Sequence, residues 1–325
     1  MIYKVAVVGD THFNSTTPQS RLDDYPRTTL RKLSEIGTIA LEKGVSHLIL
    51  LGDVFHKNSQ SLWYLNRVIE EFNKIKEKGI ECWSIVGNHD IAWEKMETLD
   101  RSPLQTLFVS SSVKPLKVLK LGESVEIYGY NYTDEISKVD SDGKVKVCVA
   151  HRFYDNTLSD YSLSPKQVIS LNYDRYILGH DHQEFPDVVA SNGSVVQRPG
   201  SLLRGTSHKY NVNREPSFDI ITFEVNGNTV DTTSERVVLS HLPATEVFSI
   251  QALEKQGKED LVEQHITASM IDELISKMET RTTSSSLFHI IDNIEMSPSV
   301  RGLIEKYLTA NGLFRITSKE VKELV

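Results

Sequence analysis

The sequence predicts an α/β protein with a two-layered sheet core, and three observations carry that expectation. Apolar strand runs and helical periodicities alternate three times before the chain reaches residue 90. The strand runs that follow lie close together with little helix between them. Asn226-Gly227 then stands between two alternating runs, a strong hairpin signal.

Taken in order, "IYKVAVVG" (2–9) is a β-rich run closed by Gly-Asp. Residues 26–43 carry Leu30, Leu33, Ile36, Ala40 and Leu41 at helical spacing, and Gly44 is placed to end that helix. "SHLILLGD" is a second buried strand. Residues 61–78 repeat the helical pattern with Leu62, Leu65, Ile69, Phe72 and Ile75, and Gly79 stops it. "ECWSIVGNHD" is a third strand. Continuous apolar strands alternating with helices indicate a largely parallel sheet covered by helices. "ESVEIYGYNY", "KVKVCVAH" and "RYILGHDH" sit on short connections, so the middle of the chain is expected to be more antiparallel, with the sheet core ending near residue 240. Beyond it, residues 251–280 read as helical, "TRTTSSS" as a linker and "LFHIIDNIEM" as a strand. A helix opens at Ser297-Pro298 and closes at Asn311-Gly312, and "TSKEVKELV" opens on a capping box.

Composition narrows the class. The 325 residues are 39% hydrophobic and 25% charged, ordinary values that allow one large domain plus something smaller. No apolar run approaches the roughly 20 residues of a membrane span. The N-terminus lacks the basic region and apolar stretch of an export signal. Cys82 and Cys148 lie in apolar runs and read as core residues of a reducing compartment. A cytoplasmic protein is therefore expected, with no membrane partner. A net charge of −8 argues against coating nucleic acid by bulk attraction. It leaves room for a nuclease whose metal ions bring the positive charge.

The chemistry gathers where strands end. "GDTH" presents Asp10 and His12, "GDVFH" presents Asp53 and His56, and "GNHD" presents Asn88, His89 and Asp90. "VAH" adds His151, and "GHDH" adds His180 and His182. One Asp after a strand is usually a turn former, and one His is usually a surface or core residue. Five such tips in one chain call for a shared purpose, because ligand sites form at the carboxyl ends of strands in α/β sheets. Carboxylate, amide and imidazole without thiolate suit Mn²⁺ best, and also fit Mg²⁺, Fe²⁺ or Zn²⁺. Asp10, His12, Asp53, Asn88, His151, His180 and His182 are too many donors for one ion. Two octahedral ions sharing a bridging carboxylate use them all. Two ions about 3.5–4 Å apart are the standard apparatus of phosphoester hydrolysis.

In order, "GDTH", "GDVFH", "GNHD", "VAH" and "GHDH" resemble the motifs of the calcineurin-like metallophosphoesterase superfamily. The resemblance spans residues 10–182 and implies a four-layer metallophosphoesterase β-sandwich flanked by helices, followed by a small C-terminal α/β or helical region. It implies that Asp10, His12 and His182 hold one ion, that Asn88, His151 and His180 hold the other, and that Asp53 bridges. His89 is then the proton donor to the leaving oxygen, a task suited to imidazole.

His56 refines the resemblance. General phosphatases of the superfamily carry "GDxxD" there. "GDVFH" followed by "KNSQS" is similar to the SbcD family of DNA repair and recombination nucleases, the Mre-eleven type of eukaryotes, in which that His helps place the DNA backbone. "QRPGSLLRG" (197–205) supports the same choice. This implies 3′→5′ exonuclease action on duplex ends and endonuclease action on single-stranded or hairpin DNA. It also implies a homodimer, with Trp63 and Tyr64 on a candidate surface, and an SbcC-type coiled-coil ABC ATPase as partner. Loops holding Asn14, Ser15, Arg21, Lys57, Asn58, Arg152 and Arg204 are expected to grip the DNA. Residues 1–240 would be the nuclease domain, 241–283 a reduced DNA-capping region and 284–325 an ATPase-binding segment, the compact plan of a phage-like member. A cyclic-nucleotide phosphodiesterase or phosphoprotein phosphatase would use the same ligands. His56 and "RPGS" weigh against it.

Overall fold

The computed structural model describes residues 1–155 and 161–254. The expectations for residues 255–325 lie outside these residues. In chain order, β1 (Ile2–Val8), α1 (Tyr25–Glu42), β2 (His47–Leu50), α2 (Leu62–Glu77) and β3 (Glu81–Ser84) come first. Two 3₁₀ turns, Asn88–Asp90 and Met96–Arg101, precede α3 (Pro103–Val109) and β4 (Lys114–Pro115). Next are β5 (Val118–Leu121), β6 (Val125–Tyr130), β7 (Val145–His151), β8 (Phe153–Tyr154) and β9 (Ser162–Leu163). The chain continues through α4 (Pro165–Leu171), β10 (Arg175–Gly179), β11 (Phe185–Val189), β12 (Val195–Arg198) and α5 (Lys209–Val212). It closes with β13 (Ser217–Asn226), β14 (Thr229–Val238) and α6 (Ala244–Val247). All belong to the first of two compact units, Met1–Ala252; the second is Leu253–Val325.

Among the described residues the long strands form two six-stranded sheets, ordered β14-β13-β1-β2-β3-β4 and β11-β12-β10-β7-β6-β5. Strand alternation assigns the layers. Ala6 and Val8 of β1 pack with Leu33, Ile36 and Phe72 of α1 and α2, whereas Val5 and Val7 face Val147, Val149 and Ile177 of the second sheet. On that sheet's far side Cys148, Ala150, Tyr176 and Leu178 pack with Val168 of α4. The order is helix, sheet, sheet, helix, which is the expected four-layer sandwich. Strands covered on both faces need apolar residues at every position, hence the continuous runs in the sequence. Each fully buried Leu, Ile or Phe contributes about 1.5–3 kcal/mol.

The helices start and stop where their caps dictate. The side chain of Asp24 accepts from Arg27 N before α1, and that of Ser61 accepts from Tyr64 N before α2. Cys82 and Cys148 are buried free thiols. Two apolar positions read into the helical stripes are instead solvent-facing, Leu41 at 51% exposed and Leu62 at 77%. Leu41 lies about 100° around the helix from Ala40, which takes the buried place, and Leu62 opens its helix ahead of the packed turns.

One expectation about topology is corrected. β6, β7, β10 and β12 pair in parallel, and only β5 and β11 at the edges run antiparallel. Parallel neighbours need crossover connections. Here residues 131–144 cross from β6 to β7 with no helix, so no 3.6-residue period marked the crossover. No helix among the described residues is long and apolar enough to cross a membrane.

Candidate metal centre

The tips of β1, β2, β3, β7 and β10 meet, and the donors that follow them cluster. Among the described residues, ligand atoms of Asp10, His12, Asp53 and His182 lie within 4.8 Å of one another, as do those of Asp53, His151 and His180, and a third group of His12, His56 and His89 meets the same limit. Asp53 belongs to the first two groups. Its Oδ2 is 3.6 Å from His12 Nε2, and its Oδ1 is 3.4 Å from His151 Nε2. The one carboxylate thus faces both halves of the centre through different oxygens. Asn88 Oδ1, 3.1 Å from His151 Nε2, joins the second half. The seven residues expected as ligands are brought together in two sets with Asp53 between them.

Local backbone conformation aims these groups. Asp10, His12, Asp53 and His180 have φ of 21°, 43°, 46° and 83°, the left-handed region that non-glycine residues rarely occupy. Strain of this kind persists only where surrounding structure over-determines it. Here His12 N donates to Asp53 O at 2.9 Å, and His180 N donates to the Asp10 carboxylate at 3.1 Å. Close approach needs glycine at two tips. A Cβ on Gly87 would sit 2.2 Å from Asp53 N and Oδ1, and one on Gly9 would sit 1.9 Å from Gly200 O. The "RPGS" stretch therefore buttresses the first strand tip, and Leu202 N donates to Gly9 O at 2.8 Å.

A backbone carbonyl sets the tautomer of His151. Its Nδ1 lies 2.7 Å from Leu51 O. A carbonyl only accepts, so Nδ1 carries the proton and Nε2 turns its lone pair inward. The electrostatics follow from burial. Desolvation holds the His12, His180 and His182 imidazoles well below their usual range, His180 at about 3 and His182 at about 4. His151 behaves oppositely. Burial opposes its charge, but the carboxylates of Asp53 and Asp10 outweigh that and push it up to about 9. Burial would raise Asp53 as well, yet His151 and His12 hold its carboxyl well below the usual range. Asp10 is pushed up to about 7, chiefly by burial with help from Asp53. His12 Nε2 and His182 Nε2 stand 2.8 Å apart, close enough to face one cation together. Imidazoles and buried carboxylates together are a donor set that fits two divalent cations once His151 gives up its proton.

Family membership follows from comparison. Residues 3–184 match the model of the calcineurin-like phosphoesterase family. The chain belongs to that family. This metallophosphoesterase has no match among curated proteins. Among solved structures it is similar to a dimetal phosphatase from Danio rerio, with a TM-score of 0.49 and 11% identity over 73% of this chain and 99% of that one. It also aligns with vacuolar protein sorting 29 from Cryptosporidium parvum, with a TM-score of 0.35 and 14% identity over 73% and 99%.

His89 and His56 stand at the rim of the metallophosphoesterase centre. Their rings stack at 5.5 Å and 20°, and the ring of His12 meets that of His89 edge-on at 4.9 Å. His89 Nδ1 donates to His56 O at 2.9 Å, and His89 N donates to Asp53 Oδ1 at 2.8 Å. His56, Lys57 and Asn58 are exposed on one loop. Ser15 is half-buried, and its backbone N–H donates to Gln60 at 2.8 Å.

Four of the residues expected to grip DNA are buried and committed elsewhere. Arg21 pairs with Asp23 at 2.8 Å and donates to Arg204 O. Arg204 donates to Leu242 O, and both arginines line a separate pocket beside α1 that includes none of the seven ligands. Arg152 donates to Tyr132 O and Asp134 O, clamping the crossover loop. The buried Asn14 accepts from Thr16. Charge beside a motif does not reveal which way the side chain turns.

Two contributors were given no role from the sequence. Asp90, fully buried, accepts from Gly87 N at 3.0 Å, Phe55 N at 3.0 Å and Val54 N at 3.2 Å. It ties the β2 and β3 tips together, and its place in "GNHD" was the available signal. Arg214 donates to His182 O at 2.8 Å and Ser201 Oγ at 3.0 Å. Nothing local in the sequence marks it.

Proposed function

We propose that this metallophosphoesterase is a Mn²⁺-dependent DNA nuclease subunit that cleaves phosphodiesters at duplex ends and in single strands. The observation that carries the reading is the pairing of His56 with His89. An exposed imidazole lies outside the two groups that share Asp53, stacked on the residue that would serve as proton donor and followed by exposed Lys57 and Asn58. A phosphomonoester or a cyclic nucleotide ends at the scissile phosphate and has no use for such a row. A polynucleotide carries further phosphates that would meet it.

Bound cations would neutralise the phosphate and acidify a water. The chain's own residues do the rest. His89 donates its Nδ1 proton to His56 O, so the proton it gives to the leaving 3′ oxygen comes from Nε2. His56 is held below the usual imidazole range, first by burial and then by His89 and Lys57. It is thus a neutral partner that keeps the His89 ring in place and meets the strand. Asp90 and Arg214 hold the ligand-bearing loops still.

The same reading places the protein in a homodimer and beside an SbcC-type coiled-coil ABC ATPase in DNA recombination, repair or replication. Leu62 and Trp63, exposed at the start of α2, form the apolar surface such a dimer would use. Tyr64 is buried against Thr29 and plays no part. Light scattering of the full chain checks the dimer, and a monomer at micromolar concentration would remove it.

Activity on linear duplex DNA with Mn²⁺ should exceed that on a nucleoside cyclic phosphate. His56→Ala should lower DNA cleavage by at least tenfold more than it lowers hydrolysis of bis(p-nitrophenyl) phosphate, which offers no neighbouring phosphate. Equal losses on both substrates, or faster turnover of the cyclic nucleotide, would assign the centre to small phosphoesters instead.

A further inference from the structure

The turn Ala92–Lys95 follows "GNHD" directly and is built against backbone preference. Its two central residues, Trp93 and Glu94, have φ of 51° and 56°. Turns with two left-handed central residues are normally filled by Asn and Gly, and this one has neither. Three anchors hold it. Ala92 N donates to Thr98 Oγ1 at 2.8 Å, and that hydroxyl lies 2.6 Å from Lys95 O. Lys95 N closes the turn on Ala92 O at 3.1 Å. The Glu94 carboxylate accepts from Tyr161 Oη at 2.6 Å and Tyr132 Oη at 3.4 Å.

Those two tyrosines stack at 4.3 Å and 6°, and the Tyr132 ring lies 5.4 Å from His180 and 6.0 Å from His151. The turn is therefore tied to two ligand rings through one layer of aromatic contacts. What this fixed turn displays is an indole. Trp93 is 85% exposed, the most exposed of the chain's large apolar side chains among the described residues. Folding gains nothing from leaving so large an apolar side chain in water on a strained backbone. A ligand that covers it gains a great deal.

We infer that Trp93 is a stacking platform for an unpaired nucleobase of the strand whose phosphate enters the metal centre. Every base has a π-face, so such a platform is indifferent to sequence and selects single-stranded or frayed DNA over intact duplex. Lys95, exposed beside it, supplies a cation to the adjoining backbone. Phe153, with its ring 3.9 Å from that of His180 and its side chain 39% exposed, adds an aromatic face beside the ligands. The inference rests on the nuclease reading and specifies the substrate strand for it.

The test compares the full-length wild type, Trp93→Ala and Trp93→Phe with Mn²⁺ on three substrates. These are a single-stranded oligodeoxynucleotide, an oligomer of the same length with an abasic stretch, and bis(p-nitrophenyl) phosphate. Trp93→Ala should raise KM for the base-bearing strand about tenfold or more, leave its kcat within about twofold, and abolish the preference over the abasic strand. Trp93→Phe should retain most of the wild-type KM, and aryl ester hydrolysis should be unchanged in all three, which shows that the fold is intact. If wild type cleaves the oligonucleotide and Trp93→Ala has the same KM, this inference fails and the nuclease reading stands. If wild type hydrolyses the aryl ester but no oligonucleotide, the nuclease reading fails and the platform fails with it.

Discussion

At the scale of single residues, the centre divides into groups that hold cations and groups that work beside them. His89 lies outside the two groups that share Asp53 and belongs with His56 to a third around His12, while its backbone N–H supports the Asp53 carboxylate. Its side chain can then be removed while both Asp53 groups keep every donor. His89→Ala should cost about 10²–10⁴ in kcat while elemental analysis still finds two ions per chain. Loss of metal along with activity would make His89 a ligand and not a proton donor. Asp90 is different, because its two oxygens accept three backbone N–H groups. In Asp90→Asn the amide NH₂ faces an N–H donor whichever way it turns. Cation affinity or activity should fall about 10–100-fold, and titration calorimetry with Mn²⁺ measures it. The gathering of these residues was legible in the sequence because each sits at a strand tip or within a few residues of one. Arg21, Arg152 and Arg204 misled because a loop's sequence records charge and not direction, and all three guanidinium groups turn inward.

At the scale of elements, the site depends on how closely strand tips approach. Gly87 lets the end of β3 pass against Asp53, and a methyl group there has nowhere to go. Gly87→Ala should destabilise the fold by about 1–3 kcal/mol and lower Mn²⁺ occupancy, read by urea denaturation with and without the ion. A variant with wild-type stability and two ions would show that the tips tolerate separation. The helical half of the fold was readable because α1 and α2 carry a 3.6-residue stripe between a side-chain cap and a left-handed glycine. The parallel pairing of β6, β7, β10 and β12 was not, since the β6–β7 crossover is a loop and the β7–β10 crossover carries only the seven-residue α4, too short for a clear period. Those four strands read as part of a more antiparallel half although their neighbours run the same way.

At the scale of the whole molecule, a chain of net charge −8 concentrates its ligand chemistry in one buried spot that cations must complete. This has a consequence for pH. Without cations His151 keeps its second proton up to about pH 9, because burial is outweighed by Asp53 and Asp10. A cation must displace that proton, so rising pH removes a competitor. Mn²⁺ affinity should rise about tenfold per pH unit between pH 7 and 8.5. Calorimetry in two buffers of different ionisation enthalpy should detect proton release, and a flat profile would contradict the assignment of His151. The claim on which the rest depends is that Asp53 stands between two cations. Anomalous diffraction at the manganese edge, from crystals grown with Mn²⁺, tests it most directly. Two peaks about 3.5–4 Å apart, with Asp53 between them and His12 and His182 on one side, His151 and His180 on the other, are the predicted result. A single peak, or peaks away from these residues, would contradict it.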